Sequence, residues 1–142
     1  MEYPDWVNVI AITKEGKFVL VRQYRHGIKE TRYEICAGVC ETGEEPLLSA
    51  QRELYEETGY GNGNWTKLND YFSKCQHHDK YHSLLSGYGG RTNLYPALEE
   101  TEDLTVHLLD EEEVKALLLN DEVKQSLMAA PFWKYFALYS RL

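Results

Sequence analysis

Short runs rich in β-branched and aromatic residues, separated by polar turns, predict strands in the first part of the chain. VNVIAI (7–12) and KFVLVRQYR (17–25) flank TKEGK, whose Gly16 suits a tight hairpin turn. These two runs are expected to pair as antiparallel strands. YEICA (33–37) predicts a further strand, and later ones are predicted over WTKLNDYFSK, YHSLL and LTVHLL.

Helical signals alternate with these strands. Pro46 suits a first helical position and Gly59 a C-terminal stop, so a helix is expected from about 46 to 58. Asp110 and Glu113 form a capping box that opens a helix through VKALLLN. Pro131 falls inside the last helical stretch, which is therefore expected to form two pieces or a kink. Interleaved strands and helices predict a layered α/β sandwich in one domain over residues 1–142.

Charge and hydropathy narrow the classes of partner. The net charge of −8 disfavours long nucleic acids bound through surface Lys and Arg. No run approaches the roughly 20 apolar residues of a membrane span, and the N-terminal sequence lacks the order of a secretory signal. A cytoplasmic protein is expected, acting on a small anionic molecule that metal ions bridge to carboxylates.

Cysteine and histidine residues give no metal signature of their own. Cys36, Cys40 and Cys75 fit neither a paired CxxC site nor a disulfide framework, so they are interpreted as reduced thiols. His77, His78 and His82 resemble a metal cluster at first sight, but without a confirming helix or cysteines they are interpreted as loop residues.

An acidic stripe on the helix at 46–58 is the strongest chemical signal. At about 100° per residue, Leu47, Ala50 and Leu54 form a packing stripe, and the neighbouring stripe carries three glutamates, Glu53, Glu56 and Glu57. Like charges so close disfavour full ionisation unless a divalent cation is present. Oxygen ligands at this density suit Mg²⁺ or Mn²⁺. The alternative is a solvated acidic face with no ligand.

The surrounding residues resemble the Nudix box, G-x5-E-x7-R-E-U-x-E-E-x-G-U, where U is a bulky aliphatic residue. The only departure is Tyr60 at the last position. The eight matching residues are Gly38, Glu44, Arg52, Glu53, Leu54, Glu56, Glu57 and Gly59. The resemblance implies a Nudix-type α/β/α sandwich with a mixed β-sheet between helices. DWVNVIAI, VRQYRHG and a glutamate near 102 are similar to the branch that hydrolyses ADP-ribose and related nucleoside diphosphate sugars.

The resemblance also implies roles for individual residues. Glu53, Glu56, Glu57 and the carbonyl of Ala37 match the family's metal ligands. Arg52 is expected to orient Glu56, four residues on, and Glu44 to support the loop and the helix start. The general base belongs either to the box or to a downstream loop, where Glu102 is the candidate and Glu99 and Glu100 are rivals.

The implied reaction is attack of water on a diphosphate linkage, assisted by Mg²⁺ or Mn²⁺. Arg25 is expected to contact the diphosphate, and Glu34 a ribose hydroxyl or Arg25 itself. Dinucleoside polyphosphates, nucleoside triphosphates and a non-catalytic nucleotide-sugar sensor remain alternatives. YFSKC (71–75) replaces a proline turn that is common in the ADP-ribose branch. A homodimer through the aromatic-rich C-terminal helix is one option.

Overall fold

The computed structural model of the chain describes residues 5–25, 29–74, 77–89, 104–123 and 125–139. Seven strands and three helices follow one another in these ranges. They are β1 (Trp6–Thr13), β2 (Phe18–Arg25), β3 (Glu30–Glu34), β4 (Cys36–Val39), α1 (Pro46–Thr58), β5 (Asn64–Lys74), β6 (His77–Gly89), β7 (Leu104–Leu109), α2 (Glu111–Leu119) and α3 (Ser126–Tyr139). None of these helices has the length and apolar character that crossing a membrane requires.

The described strands form one mixed sheet with β1 at its centre. Its order is β3-β2-β1-β6-β5, with β4 beside β1 and β7 beside β2. β1 and β6 run parallel, whereas the other pairs are antiparallel. The predicted β1–β2 hairpin is confirmed, with Gly16 at a φ of 80°. The strand predicted over 33–37 is instead two strands, because Glu34 pairs with β2 whereas Cys36 pairs with β1.

Helices cover both faces of this sheet, which confirms the predicted α/β/α sandwich. Side chains alternate between the faces of β1. One face packs against α1 through Val7, Val9, Ala11, Ala50 and Leu54. The other packs against α2 and α3 through Ile10, Ile12, Val114, Phe132 and Phe136. Tyr60 belongs to the first of these clusters, so the aromatic residue that ends the box motif is a packing residue.

Helix α1 begins and ends where the sequence predicts. Pro46 occupies the first turn, and Gly59 takes a left-handed conformation with φ 77°, donating its N–H to the carbonyl of Tyr55. The predicted packing stripe is correct for Ala50 and Leu54, which are buried. It is wrong for Leu47, which stays 38% exposed and lines a cavity of about 320 Å³ together with Trp65.

Helix α3 runs through Pro131 as a single helix, so of the two predicted outcomes, two pieces or a kink, the division into two pieces is wrong. Proline has no N–H to donate to the carbonyl four residues earlier, which here belongs to Leu127. The side chain of buried Asn8 donates its Nδ2 proton to that carbonyl instead, at 2.9 Å. The central strand therefore satisfies the backbone group that the proline leaves without its helical donor. Helix α2 has the predicted capping box at Asp110 and Glu113.

His82 lies in β6, and so do His77 and His78, which corrects the expectation of loop residues. The ring of His82 is buried and its two nitrogens each lie 2.8 Å from a carboxylate oxygen, one of Asp5 and one of Asp70. His82 thereby connects the segment before β1 to the β5–β6 pair, and we call this arrangement the His82 bridge.

Candidate active site

Two of the box glutamates of α1, Glu53 and Glu57, lie beside β4, and a glycine makes room for one of them. A Cβ atom added at Gly38 would overlap the side chain of Glu53, whose Cγ would lie only 2.6 Å away. The space that a side chain would need on β4 is therefore filled by the Glu53 side chain. The box glycine and the first box glutamate thus form one packed unit.

Arg52 is the centre of an ion-pair network at this site. Its Nη2 and Nε lie 3.0 and 3.2 Å from the two carboxylate oxygens of Glu44. Its Nη1 lies 3.0 Å from Glu53 and 3.5 Å from Glu56. The predicted pairing with Glu56 is confirmed, but it is the longest of these contacts. Hydrogen bonds from Arg52 and from the backbone N–H of Glu41 lower the pKa of Glu44 to about 2, as expected for a structural carboxylate.

Glu57 is the most perturbed of the three glutamates. Burial raises its pKa to about 7, and the negative charges of Glu53 and Glu34 add to the shift. The nearby Cys36 thiol and the backbone N–H of Ala37 lower this pKa in part. Burial also raises the pKa of Glu53, and Arg52 offsets part of that effect. These carboxylates lie in surroundings that disfavour their charged forms.

The donor set fits a hard divalent cation. Three carboxylates on one helix face, two of them with a pKa raised by burial, are groups whose charged forms a cation would stabilise. Within the described ranges, however, no three carboxylate, imidazole or thiol groups already converge at coordinating distances. Glu53 and Glu56 meet at Arg52 instead, each through one carboxylate oxygen, so the ion contact falls to the other oxygen of each.

Of the other predicted site residues, the structure describes the side chain of Glu34 but not those of Arg25 and Glu102. Glu34 is buried at the end of β3 and lies close enough to Glu57 for its charge to raise the pKa of Glu57. Arg25 ends β2 with its backbone opposite Glu30, and its side chain is outside the described part of the structure. Glu102 and its rivals Glu99 and Glu100 also lie outside the described residues.

Sequence reasoning missed that Cys36 lies near the box glutamates. The residue was interpreted as a plain reduced thiol, and Cys36 and Cys40 are indeed free, while Cys75 lies outside the described residues. In the structure, Cys36 is fully buried beneath the box glutamates. The signal was its position next to Ala37 and Gly38, since a residue at this place in β4 lies against whatever packs over the glycine.

Comparison with known proteins gives local and global similarities. Over 73 residues, 51% of the chain, it is 44% identical to an ADP-ribose pyrophosphatase from Bacillus subtilis (strain 168), matching 40% of that protein. Over 60 residues, 42% of the chain, it is 52% identical to a methanol dehydrogenase activator from Bacillus methanolicus, matching 32% of that protein. The chain thus spans less than half the length of these two relatives.

The whole fold also has a counterpart among solved structures. The crystal structure of an ADP compounds hydrolase matches with a TM-score of 0.81 at 19% identity, over 98% of this chain and 76% of that one. At this identity the similarity concerns the fold. The family model of the NUDIX domain matches residues 2–137, which include the sheet, α1 and the glutamates beside β4. The box motif, the sandwich and this match together show that the chain belongs to the Nudix family.

Proposed function

We propose that this chain is a divalent-metal-dependent hydrolase of the diphosphate linkage in ADP-ribose or a related nucleoside diphosphate sugar. The observation that carries the proposal is the packing of Glu53 against Gly38 beside a partly buried Glu57 whose pKa is raised to about 7. Perturbed carboxylates gathered on one face are typical of functional sites rather than of solvated helix surfaces. Nudix hydrolases generally use divalent metals, and Mg²⁺ or Mn²⁺ suits these oxygen donors.

Each residue of the site then has a defined task. Glu53, Glu56 and Glu57 hold the ion, together with the carbonyl of Ala37. When bound, the ion neutralises phosphate oxygens and lowers the pKa of water for attack. Arg52 keeps Glu53 and Glu56 near each other through its Nη1 atom, and Glu44 fixes Arg52 from the other side. A glutamate, either Glu57 or Glu102, accepts the proton of the attacking water.

The substrate assignment rests on the names of similar proteins and on the resemblance of DWVNVIAI, VRQYRHG and Glu102 to the ADP-ribose branch. One relative is an ADP-ribose pyrophosphatase, and the structural counterpart is an ADP compounds hydrolase. Arg25 is proposed to contact the diphosphate and Glu34 the ribose of the substrate. We further propose that the chain acts on a small nucleotide in the cytoplasm, and that a homodimer forms through α3.

A substrate panel tests this proposal. ADP-ribose, ADP-glucose, a diadenosine polyphosphate and a nucleoside triphosphate are each incubated with the chain and Mg²⁺, and released monophosphate or pyrophosphate is measured. We expect the diphosphate sugars to give the highest kcat/KM, with no turnover in EDTA. Preference for the polyphosphate or the triphosphate would move the chain to another branch of the family.

A non-catalytic sensor is the second candidate. The similarity to a protein named as a methanol dehydrogenase activator favours it, since that name describes a regulatory effect on another enzyme. A sensor has no chemical need for three ligand glutamates on one helix face. Binding of ADP-ribose to the chain with Mg²⁺, without any product after prolonged incubation, would support the sensor over the hydrolase.

A further inference from the structure

A cavity of about 320 Å³ lies between the start of α1 and the strands β5 and β6. Its apolar walls are the side chains of Pro46, Leu47, Trp65 and Leu84. Trp65 is partly buried and packs against the apolar cluster beneath α1. Sites for small molecules in proteins begin at roughly 300 Å³ and are mostly apolar, with a few polar groups that orient the ligand. This cavity has the size and the walls of such a site.

The cavity is separate from the acidic site on the same helix. At about 100° per residue, the buried Ala50 and Leu54 lie between Leu47 and Glu57 around the helix. Leu47 also precedes Glu57 by ten residues, which corresponds to about 15 Å along the helix axis. A small ligand in the cavity is therefore out of reach of Glu57 and of an ion that Glu57 holds.

Three ionisable side chains, Glu45, Lys67 and His82, also line the cavity. The Nζ atom of Lys67 lies 2.7 Å from a carboxylate oxygen of Asp70. The two ring nitrogens of His82 each lie 2.8 Å from a carboxylate oxygen, one of Asp5 and one of Asp70. The cavity and its immediate partners thus contain three carboxylates and one ammonium group. Even a doubly protonated His82 leaves an excess of negative charge.

Glu45 is the ionisable lining residue for which the described residues supply no ion pair. It stands directly before the first turn of α1, but its side chain accepts no capping hydrogen bond from that helix. Its carboxylate is exposed at the same cavity that the Trp65 ring lines. An apolar cavity with an aromatic wall and a carboxylate of this kind favours a ligand of positive charge.

We propose that this cavity binds an organic ammonium ion, with its cation over the ring of Trp65 and beside Glu45, and its apolar part against Leu47 and Leu84. Trp is the most favourable aromatic partner for a cation, because the face of its ring is electron-rich. A neutral apolar ligand makes no use of Glu45, and an organic anion meets the excess of negative charge. The inference does not depend on the proposed hydrolase function.

Three probes of nearly equal shape and different charge test this inference. They are choline, the neutral alcohol 3,3-dimethylbutan-1-ol and the anion 3,3-dimethylbutanoate. Their affinities for the parent chain are measured by titration calorimetry in excess Mg²⁺, so that choline does not compete with free carboxylates of the acidic site. We expect choline to bind at least about tenfold more tightly than the alcohol, and the anion to bind most weakly.

Two variants locate the binding. Glu45→Gln should weaken choline binding about threefold and leave the alcohol unchanged, because the exposed carboxylate contributes only its charge. Trp65→Leu keeps an apolar wall and should reduce the preference for choline over the alcohol to about threefold or less. The matched controls are Trp133→Leu on α3 and Glu112→Gln on α2, which lie outside the cavity and should bind all three probes like the parent.

Several outcomes would overturn the inference. Equal affinity for choline and the alcohol would show that the cavity does not recognise charge, and tighter binding of the anion would assign the cavity to Lys67. Parent-like choline affinity in Glu45→Gln, a surface change that keeps the fold, would separate choline from the cavity even if Trp65→Leu unfolds. Absence of binding by all three probes, or loss of choline binding in Glu57→Gln, would also contradict the assignment. None of these results bears on the proposed hydrolysis, which is measured with its own substrates.

Discussion

A missing side chain at one residue controls the geometry of the acidic site. Gly38→Ala places a Cβ where the side chain of Glu53 lies. The crowded atoms belong to the far end of the flexible Glu53 side chain. We therefore expect this side chain to move away while the fold survives. Turnover of the substrate should fall at least 100-fold, as expected when a catalytic group is misplaced by about 1 Å. Steady-state hydrolysis and a melting curve on the same sample measure both effects.

Gly87 supplies the control for this change. Among the described residues, no atom lies within 4 Å of a Cβ at Gly87 in β6, so Gly87→Ala should leave hydrolysis unchanged. Two results would contradict the prediction that a Cβ at residue 38 displaces Glu53 and lowers turnover. One is hydrolysis by Gly38→Ala at the parent rate, and the other is an equal loss of activity in both alanine variants.

Protonation of Glu57 predicts a stability that depends on pH in the absence of metal. Its pKa is about 7 in the folded state against an ordinary 4.5, so the folded chain keeps a proton that the unfolded chain has released. The free energy of unfolding in EDTA should therefore fall as the pH rises from about 4.5 to 7, by on the order of 2–3 kcal/mol. Glu57→Gln removes the titrating group and should melt higher than the parent at pH 8 and alike at pH 4.

Addition of Mg²⁺ should reverse the order of melting temperatures at pH 8, so that the parent melts higher than Glu57→Gln. The parent gains stability by binding the ion, whereas Glu57→Gln should gain little and should lose turnover by orders of magnitude. Glu112→Gln on α2, an exposed glutamate outside the site, is the control and should follow the parent. Undiminished hydrolysis by Glu57→Gln would remove Glu57 from the site, and equal melting in EDTA at pH 8 would contradict its raised pKa.

For single residues, the sequence predicted which residues belong to the site better than it predicted which side chains they contact. The box positions were read directly from their spacing. Arg52 was expected to serve Glu56, but its shorter contacts go to Glu44 and Glu53, because the loop before α1 folds back beside the helix. Cys36 had no signal in its own residue type, because its place near the box glutamates depends on which helix packs over β4.

At the scale of elements, the helix ends were predictable because their signals are local. Pro46, Gly59 and the Asp110–Glu113 box act within one turn of the residues that they cap. The effect of Pro131 was not predictable in this way. Its helix stays whole with the help of Asn8, which is 119 positions from Leu127 in the sequence. Local rules describe the proline correctly but contain no information about the distant donor.

A double-mutant cycle between Asn8 and Pro131 tests this compensation. Asn8→Ala leaves the carbonyl of Leu127 without the donor that the structure provides, and we expect a loss of about 1–3 kcal/mol in the free energy of unfolding. In the Pro131→Ala background, the helix supplies its own N–H to Leu127, so the same change at Asn8 should cost clearly less. Urea unfolding of the four proteins gives the coupling energy.

The matched control for this cycle is Ile10→Val, a conservative change on the same face of β1. Its cost should be the same in both Pro131 backgrounds, because it removes no hydrogen bond. Additive effects of Asn8→Ala and Pro131→Ala would mean that the two residues do not share the Leu127 carbonyl.

At the scale of the whole molecule, the His82 bridge joins the beginning of the described chain to strands far along it. Asp70→Asn removes one charged partner of His82, and the exposure of Asp70 limits the expected cost to about 1 kcal/mol. The pKa of Asp70 is lowered by its hydrogen bonds to Lys67 and His82, which outweigh burial. Its contribution is thus present above the ordinary carboxyl pKa and is lost as the pH falls through the lowered value.

Melting curves of the parent and Asp70→Asn from pH 7 down to pH 2 check this prediction. The two curves should converge in acid. Lys67→Gln removes the exposed pair between Lys67 and Asp70, at 2.7 Å, but leaves the His82 bridge, so it should cost less than Asp70→Asn. A larger loss in Lys67→Gln than in Asp70→Asn would assign the stability to the surface pair.

The link between Asn8 and Pro131 through the carbonyl of Leu127 also has a consequence for evolution. It affects which of the two residues can be acquired first. A lineage that acquires Pro131 before Asn8 must pass through a protein in which the Leu127 carbonyl has neither the N–H of residue 131 nor the Asn8 amide as a donor. A lineage that acquires Asn8 first meets no such step, because one carbonyl oxygen accepts both the helical N–H and the asparagine amide. Acquisition of Asn8 before Pro131 is therefore the favoured order of these two substitutions. Once Pro131 is present, replacement of Asn8 is destabilising.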